Sequence, residues 1–374
     1  FIFISKNINI KLIKIILLHL ALMTDKKDLY AHAHYKHCDE KEADGIAWTF
    51  LDKNQMVKFP FKFEELKPDE LRANILYAGL CASDLHTVKS LWGPAQYPIA
   101  PGHEIIAEVS QVGKDVKDFK KGDLIGFGTI RSSCDNCNYC NDQKENLCDK
   151  VVGTYGEYWG GYSTALQAKA NWCFHLPEGF DIQRGAPLLC AGITTYSPIE
   201  KYLKEGVKKR CGVIGCGGLG HMAIQFLHKY GQHVVAFTTS PNKKELLTKL
   251  GADKIVISTD PEQMKAAAGS IDFMINSLSV NDGMEKYIGL LAKAGVFVQV
   301  GLPEVGVANL KLDLFPLVLR ELVITGSFVG PREATKRMLN FCKEKNVYPI
   351  VEEFSFEDFP KAFEKLEHGK PFFR

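Results

Sequence analysis

The stretch that most restricts how this chain can fold is KKRCGVIGCGGLGHMAIQFLHKYG, residues 208–231. A short apolar run leads into a turn carrying Gly215, Gly217, Gly218 and Gly220. Helical spacing follows, and then a second apolar run, HVVAFTTS. G-x-G-x-x-G alone is a weak signal. Set between a strand and a helix, with another strand after it, the pattern predicts a βαβ unit whose helix-start N–H groups, from Leu219 and Gly220 onward, face a dinucleotide pyrophosphate. A glycine-rich connector is the competing reading, and this context disfavours it. Later segments alternate strand-like and helix-like sequence (KIVIST, IDFMINSLS, GVFVQVGLP, ELVITGSFVG), so an α/β fold with a doubly wound parallel sheet is expected.

The end of the second strand selects the dinucleotide. Sites that prefer NAD place an acid there to hold the ribose hydroxyls. This chain has Thr238, Thr239 and Ser240, then Lys243 and Lys244. Hydroxyls and ammonium groups suit a 2′-phosphate. NADP(H) is therefore the expected cofactor. Lysines on an exposed helix face would look the same, so the missing acid carries the argument.

A second constraint is CDNCNYCNDQKENLC, residues 134–148. Cys134, Cys137, Cys140 and Cys148 are spaced C-x2-C-x2-C-x7-C, and the gaps are filled by turn-forming Asn and Asp. Two-residue gaps let successive thiolates converge on one ion, and zinc accepts four sulfurs tetrahedrally. Four thiolates leave no open position, so this ion would be structural. A redox loop with local disulfides is the alternative, and an iron–sulfur site is a weaker one. Compartment decides between them. Eleven cysteines, mostly scattered, in 374 residues do not look like a secreted disulfide framework and fit a reducing cytosol.

Composition narrows the classes further. The 46 basic and 44 acidic residues leave a net charge of +2, too small for a charge-driven nucleic-acid binder. No run of 18 apolar residues suggests a membrane span. The opening FIFISKNINIKLIKIILLHLAL resembles a signal peptide only loosely. Translation is expected to start at Met23, with a disordered or membrane-touching tail as the alternative.

Three scattered motifs complete a second ligand set. LCASDLH holds Cys81, Ser83, Asp84 and His86; APGHEI holds His103 and Glu104; PLLCAGITTY holds Cys190. Any one alone is more often a core cysteine or a structural histidine. Together, two thiolates and one imidazole make a catalytic zinc set with its fourth position free for a substrate oxygen. Asp84 is placed to orient the imidazole.

GLCASDLH, YPIAPGHEIIAEV, the cysteine loop, GGYS, APLLCAGITTYSP, GVIGCGGLGH and AFTTSPNKK occur in one order from about residue 46 onward. In this the chain resembles the zinc-dependent medium-chain alcohol dehydrogenases, on the cinnamyl alcohol dehydrogenase and broad aldehyde reductase branch. The resemblance spans about nine tenths of the chain. It implies a GroES-like β-barrel over 46–188, continued by 330–374, and a Rossmann domain over 189–329, with 1–45 as an unplaced, disordered extension. It further implies a catalytic zinc at Cys81, His103 and Cys190 with Glu104 beside it, and a structural zinc in the four-cysteine lobe. Ser83 and His86 would relay a proton. Thr194 would lie near the nicotinamide, with Ser277, Gly301, Leu302, Ser327 and Phe328 along the cofactor cleft. A homodimer without nucleic-acid or membrane partners is also implied.

The sequence departs from that pattern in residues 24–45, at Ala82 where many relatives carry His or Gly, and at the closing KPFFR, where relatives continue through a final strand. A truncated end with an unpaired sheet edge is the expectation there. Aromatic or long-chain aldehydes are the expected substrates, with Trp92 walling the pocket or else an ordinary core or surface residue. The alternatives are an NAD-linked polyol or primary alcohol dehydrogenase, and a zinc- and nucleotide-binding protein without turnover.

Overall fold

The computed structural model describes residues 35–280, 283–306, 312–369 and 373–374. Six parallel strands make one sheet in the order Lys254–Ile257, His233–Thr238, Arg210–Ile214, Ile271–Asn276, Leu291–Gln299 and Val323–Gly326. Their side chains alternate between faces, as strand geometry requires. Val213, Val234, Ala236, Phe273 and Ile275 join one buried cluster, while Ile214, Val235, Phe237 and Met274 join another on the opposite face. Both faces being apolar is why these strands appear in the sequence as continuous hydrophobic runs. The doubly wound sheet expected from the sequence is present.

The winding reverses between Arg210–Ile214 and Ile271–Asn276, and ligands bind at such switch points. The glycine turn sits there. Gly215 has φ +79°, and a Cβ on Gly220 would lie 1.9 Å from the Gly215 carbonyl oxygen. The helix Gly220–Lys229 starts at once from this turn.

The other half is built on a five-stranded antiparallel sheet, in the order Cys173–His175, Leu124–Phe127, Ile105–Val112, Glu70–Ala78, Ala165–Lys169. Register shifts at Arg72/Ala73 and Ile75/Tyr77 bend its long strand, as bulges do. A smaller sheet of Lys36–His37, Met56–Lys62 and Gly45–Phe50 packs alongside through the bridges Ala47–Ser163 and Phe50–Ile99. The halves share one core. Ile105, Phe127 and Leu166 belong to the same buried cluster as Ile193 and Tyr196 of helix Ala191–Tyr202 and Met338 of helix Arg332–Lys345.

Residues 35–45 differ from the disordered extension expected there. Tyr35 is buried, stacked on Phe61 at 5.0 Å, and Lys36–His37 pairs with Phe61 and Lys62. A two-residue strand is too short to show a period, so only the packing of its aromatic neighbour reveals it. Residues 1–34, including the proposed start at Met23, lie outside the described residues. No helix among the described residues is long and apolar enough to cross a membrane.

His221 ties the glycine turn to the other half. It is fully buried and stacked on Phe373. Its Nδ1–H donates to the Gly217 carbonyl at 3.2 Å, and Nε2 accepts the Ile350 N–H at 3.3 Å. Only the neutral ring makes both bonds. Burial, helped by the Arg374 guanidinium, pushes His221 down to about 3. The unfolded chain therefore takes up this proton first. The stability His221 contributes is complete above about pH 6.5 and falls as pH drops toward 3, by about 1.4 kcal/mol per unit. Urea titrations at pH 7, 6 and 5 should show that slope in the wild type and a shallower one in His221→Gln. Equal slopes would remove His221 as its source.

Candidate active site

Cys81 and Asp84 sit at the start of the short helix Ala82–Val88, where the Asp84 carboxylate reaches back to the Cys81 N–H at 3.2 Å. That carboxylate is fully buried and takes three further donors: the Gly102 N–H at 2.9 Å, His103 Nδ1–H at 2.9 Å and the Tyr162 hydroxyl at 2.6 Å. Holding Nδ1 this way turns the Nε2 lone pair toward Cys190 Sγ, 3.2 Å away. Ligand atoms of Cys81, His103, Glu104 and Cys190 all lie within 4.8 Å of one another, and all four residues are buried.

This donor set fits zinc. The two thiols share a proton, with hydrogen bonding drawing Cys81 well below and pushing Cys190 well above the usual thiol range. Burial raises Glu104 to about 8 against the pull of Arg374. Glu104 Oε1 receives Arg374 Nη1–H at 2.9 Å, whereas Oε2 is buried with no hydrogen-bond partner among the described residues, facing Gly79, where a Cβ would lie only 2.0 Å away. A divalent cation would replace the proton the thiols share and give Glu104 Oε2 a partner.

The lobe behaves differently. Cys134, Cys137, Cys140 and Cys148 approach one another at 3.5, 3.6 and 3.9 Å between sulfurs. A tetrahedron with ~2.3 Å metal–sulfur bonds has edges of about 3.8 Å, whereas a disulfide needs ~2.05 Å. All four are free thiols, which fits an ion and not local disulfides.

The catalytic set opens into a cavity of about 1140 Å³. Ser83 and His86 line it, with the Ser83 hydroxyl 3.5 Å from Cys81 Sγ. Thr194, Gly217, Gly218, Leu219 and Lys243 line it as well, as do Ser277, Gly301, Leu302, Ser327 and Phe328. Gly217 faces open space, room that a dinucleotide backbone needs, and the Ser277 hydroxyl donates to the Gly215 carbonyl at 2.6 Å, fixing the turn. Gly215 and Gly220 shape the turn without lining the cavity.

Of the five residues expected at the 2′-phosphate, only Lys243 lines the cavity, with Nζ 3.4 Å from the Cys216 carbonyl. Thr238 is buried and accepts the Ser240 N–H; Lys244 is exposed and opens the helix Lys244–Lys249. Ala82 is at the rim, and Trp92 stacks on His86 at 4.9 Å and donates its N–H to the Pro303 carbonyl across the cleft. Tyr162, Tyr155 and Arg374 escaped the sequence reading. The GGYS motif that contains Tyr162 was the available signal; the partners of Tyr155 and Arg374 are too distant in sequence to have left one.

Residues 67–178 match the model of the alcohol dehydrogenase GroES-like domain, and residues 218–344 that of the zinc-binding dehydrogenase. The chain belongs to the zinc-binding alcohol dehydrogenases. Within this family it is 40% identical over 317 residues to a mannitol dehydrogenase of Petroselinum crispum, covering 82% of this chain and 93% of that one. Among solved structures it resembles a cinnamyl alcohol dehydrogenase of Sorghum bicolor, at 34% identity, with a TM-score of 0.83 over 88% of this chain and 96% of that one. It also resembles the Helicobacter pylori cinnamyl alcohol dehydrogenase complexed with NADP(H), at 32% identity, with a TM-score of 0.81 over the same shares.

If Asp84 orients the zinc-binding imidazole, Asp84→Asn should weaken zinc at the Cys81–His103–Cys190 set by roughly 10–100-fold in chelator competition while the lobe keeps its ion. Unchanged affinity would show that the four-donor carboxylate is only structural.

Proposed function

We propose that this zinc dehydrogenase reduces aldehydes reversibly to primary alcohols with NADPH. When bound, zinc at Cys81, His103 and Cys190 would supply Lewis-acid polarisation of a carbonyl, and the nicotinamide would supply hydride. The observation that carries this reading is the single cavity joining those ligands to Gly217 and Lys243.

The chain's own residues have separate tasks. Asp84 holds His103 in the tautomer that ligates. Ser83 presents a hydroxyl beside Cys81 and gives a proton to the product oxygen. His86 stands at the far end of the relay: in reduction it passes a proton from solvent back to Ser83, and in alcohol oxidation the same path runs in reverse and His86 accepts the proton. Burial lowers its pKa, which favours the neutral ring that accepts a proton in the oxidation direction, and its buried Nδ1 has no hydrogen-bond partner among the described residues. Trp92 and Tyr155 give the cavity flat apolar walls, which suit aromatic or long-chain aldehydes.

NADP(H) is supported by the missing acid after His233–Thr238, by Lys243 in the cavity, and by the NADP(H) complex of the Helicobacter relative. The mannitol dehydrogenase relative favours a second reading, an NAD-linked polyol dehydrogenase. Initial rates separate them. Turnover of cinnamyl-type aldehydes with NADPH should exceed that with NADH, and Ser83→Ala should lower kcat by roughly 10²-fold or more with both zinc ions kept. A large NADH preference together with mannitol oxidation would establish the second reading.

In this proposal residues 46–188 with 330–374 form the catalytic domain and 189–329 the nucleotide domain, and the protein works in a reducing cytosol. A homodimer is supported by the sheet edge Val323–Gly326 and the helix Leu314–Leu319, where Leu314, Phe315, Val318 and Leu319 are all more than 60% exposed. Sedimentation should give two chains per particle, reduced to one by Phe315→Glu with Val318→Glu; a wild-type monomer would refute the interface.

A further inference from the structure

We propose that Asn146, in the four-cysteine lobe, is a positioning residue for the dinucleotide. It acts by clamping the turn at 327–332 that forms one wall of the cleft. The proposal rests on the reading of that cleft as an NADPH site and assigns the lobe a task beyond holding its own ion.

The lobe's thiols face one another, yet two consecutive residues of its short helix Glu145–Leu147 reach far along the chain. Asn146 Nδ2–H donates to the Phe328 carbonyl at 2.8 Å, while its Oδ1 is buried without a partner. The bond to Phe328 is therefore the side chain's one specific contact among the described residues. Next to it, the buried Glu145 carboxylate receives Arg332 Nε–H at 2.9 Å and Nη2–H at 2.8 Å. The Arg332 guanidinium also lies over the Trp172 ring at 4.9 Å.

These anchors bracket a backbone that would not hold its shape alone. Val329, between them, has φ +39°, a region that β-branched residues rarely occupy and that persists only where the surroundings impose it. Gly330 presses onto helix Ala191–Tyr202, since a Cβ there would lie 2.8 Å from Ile193; the same helix carries Thr194. On its open side the turn presents Ser327, Phe328 and Val329 to the large cavity. Behind it, Val329 and Gly330 border a separate space of about 20 Å³. The strained turn thus has a small gap behind it, and the amide of Asn146 holds the Phe328 carbonyl in place.

The test measures NADPH binding directly, by fluorescence titration of the zinc-loaded protein. Asn146→Asp keeps the shape and removes the donor, and Asn146→Ala removes both. Each should weaken NADPH by about tenfold, equivalent to about 1.4 kcal/mol, with two zinc ions per chain and an unshifted melting temperature. A purely structural role would move the melting temperature and not this Kd. Val329→Gly supplies the second arm, because glycine adopts a positive φ without strain. In that background Asn146→Ala should change the Kd less than threefold. An unchanged Kd in the single variants, loss of a zinc ion from them, or additive effects in the double variant would each overturn the clamp. A wild-type protein that binds no NADPH would instead refute the functional reading on which the clamp rests.

Discussion

The site depends on one buried carboxylate. Asp84 accepts four hydrogen bonds, two from backbone N–H groups, one from an imidazole and one from a phenol. A buried charge-bearing group left short of partners is costly, and a half-satisfied network is worse than none. Its four donors come from the segments carrying Cys81, Gly102 with His103, and Tyr162. Satisfying Asp84 therefore pins three pieces of the antiparallel half at once and delivers the His103 lone pair to the cluster as a by-product.

Around that point the two halves meet through specific bonds and not only through apolar burial. His221 joins Gly217 to Ile350 and Trp92 reaches from His86 to Pro303, while the Arg374–Glu104 pair braces the zinc-ligand side. Each bond crosses or borders the cleft. Together with the lobe's hold on 327–332, they place the glycine turn and the zinc ligands on a single cavity, the arrangement that transfer between a cofactor and a substrate requires.

Residue type and spatial placement part company in two places. Thr238 and Ser240 have hydroxyls that suit a phosphate, yet neither lines the cavity, and the Thr238 hydroxyl oxygen accepts the Ser240 N–H as the strand ends. Residues 35–45 carry few turn or strand signals, yet Tyr35 packs into an aromatic cluster with Phe61 and Trp159. In both cases where the side chain sits, and not the residue type, was decisive.

Sequence alone determined the features whose parts lie within a few turns of chain. The C-x2-C-x2-C-x7-C lobe closes over fifteen residues, and the glycine turn is a strand, a bend and a helix start in succession. Short loops bring such groups together at small entropic cost, so spacing by itself is informative. Only the tertiary structure decided the contacts between distant segments that no motif linked: Tyr162 with Asp84 across 78 residues, Asn146 with Phe328 across 182, and Arg374 with Glu104 across 270. At those separations the approach of two side chains follows from how the sheets and helices pack, because a hydrogen bond fails within half an ångström of error that no local pattern can fix.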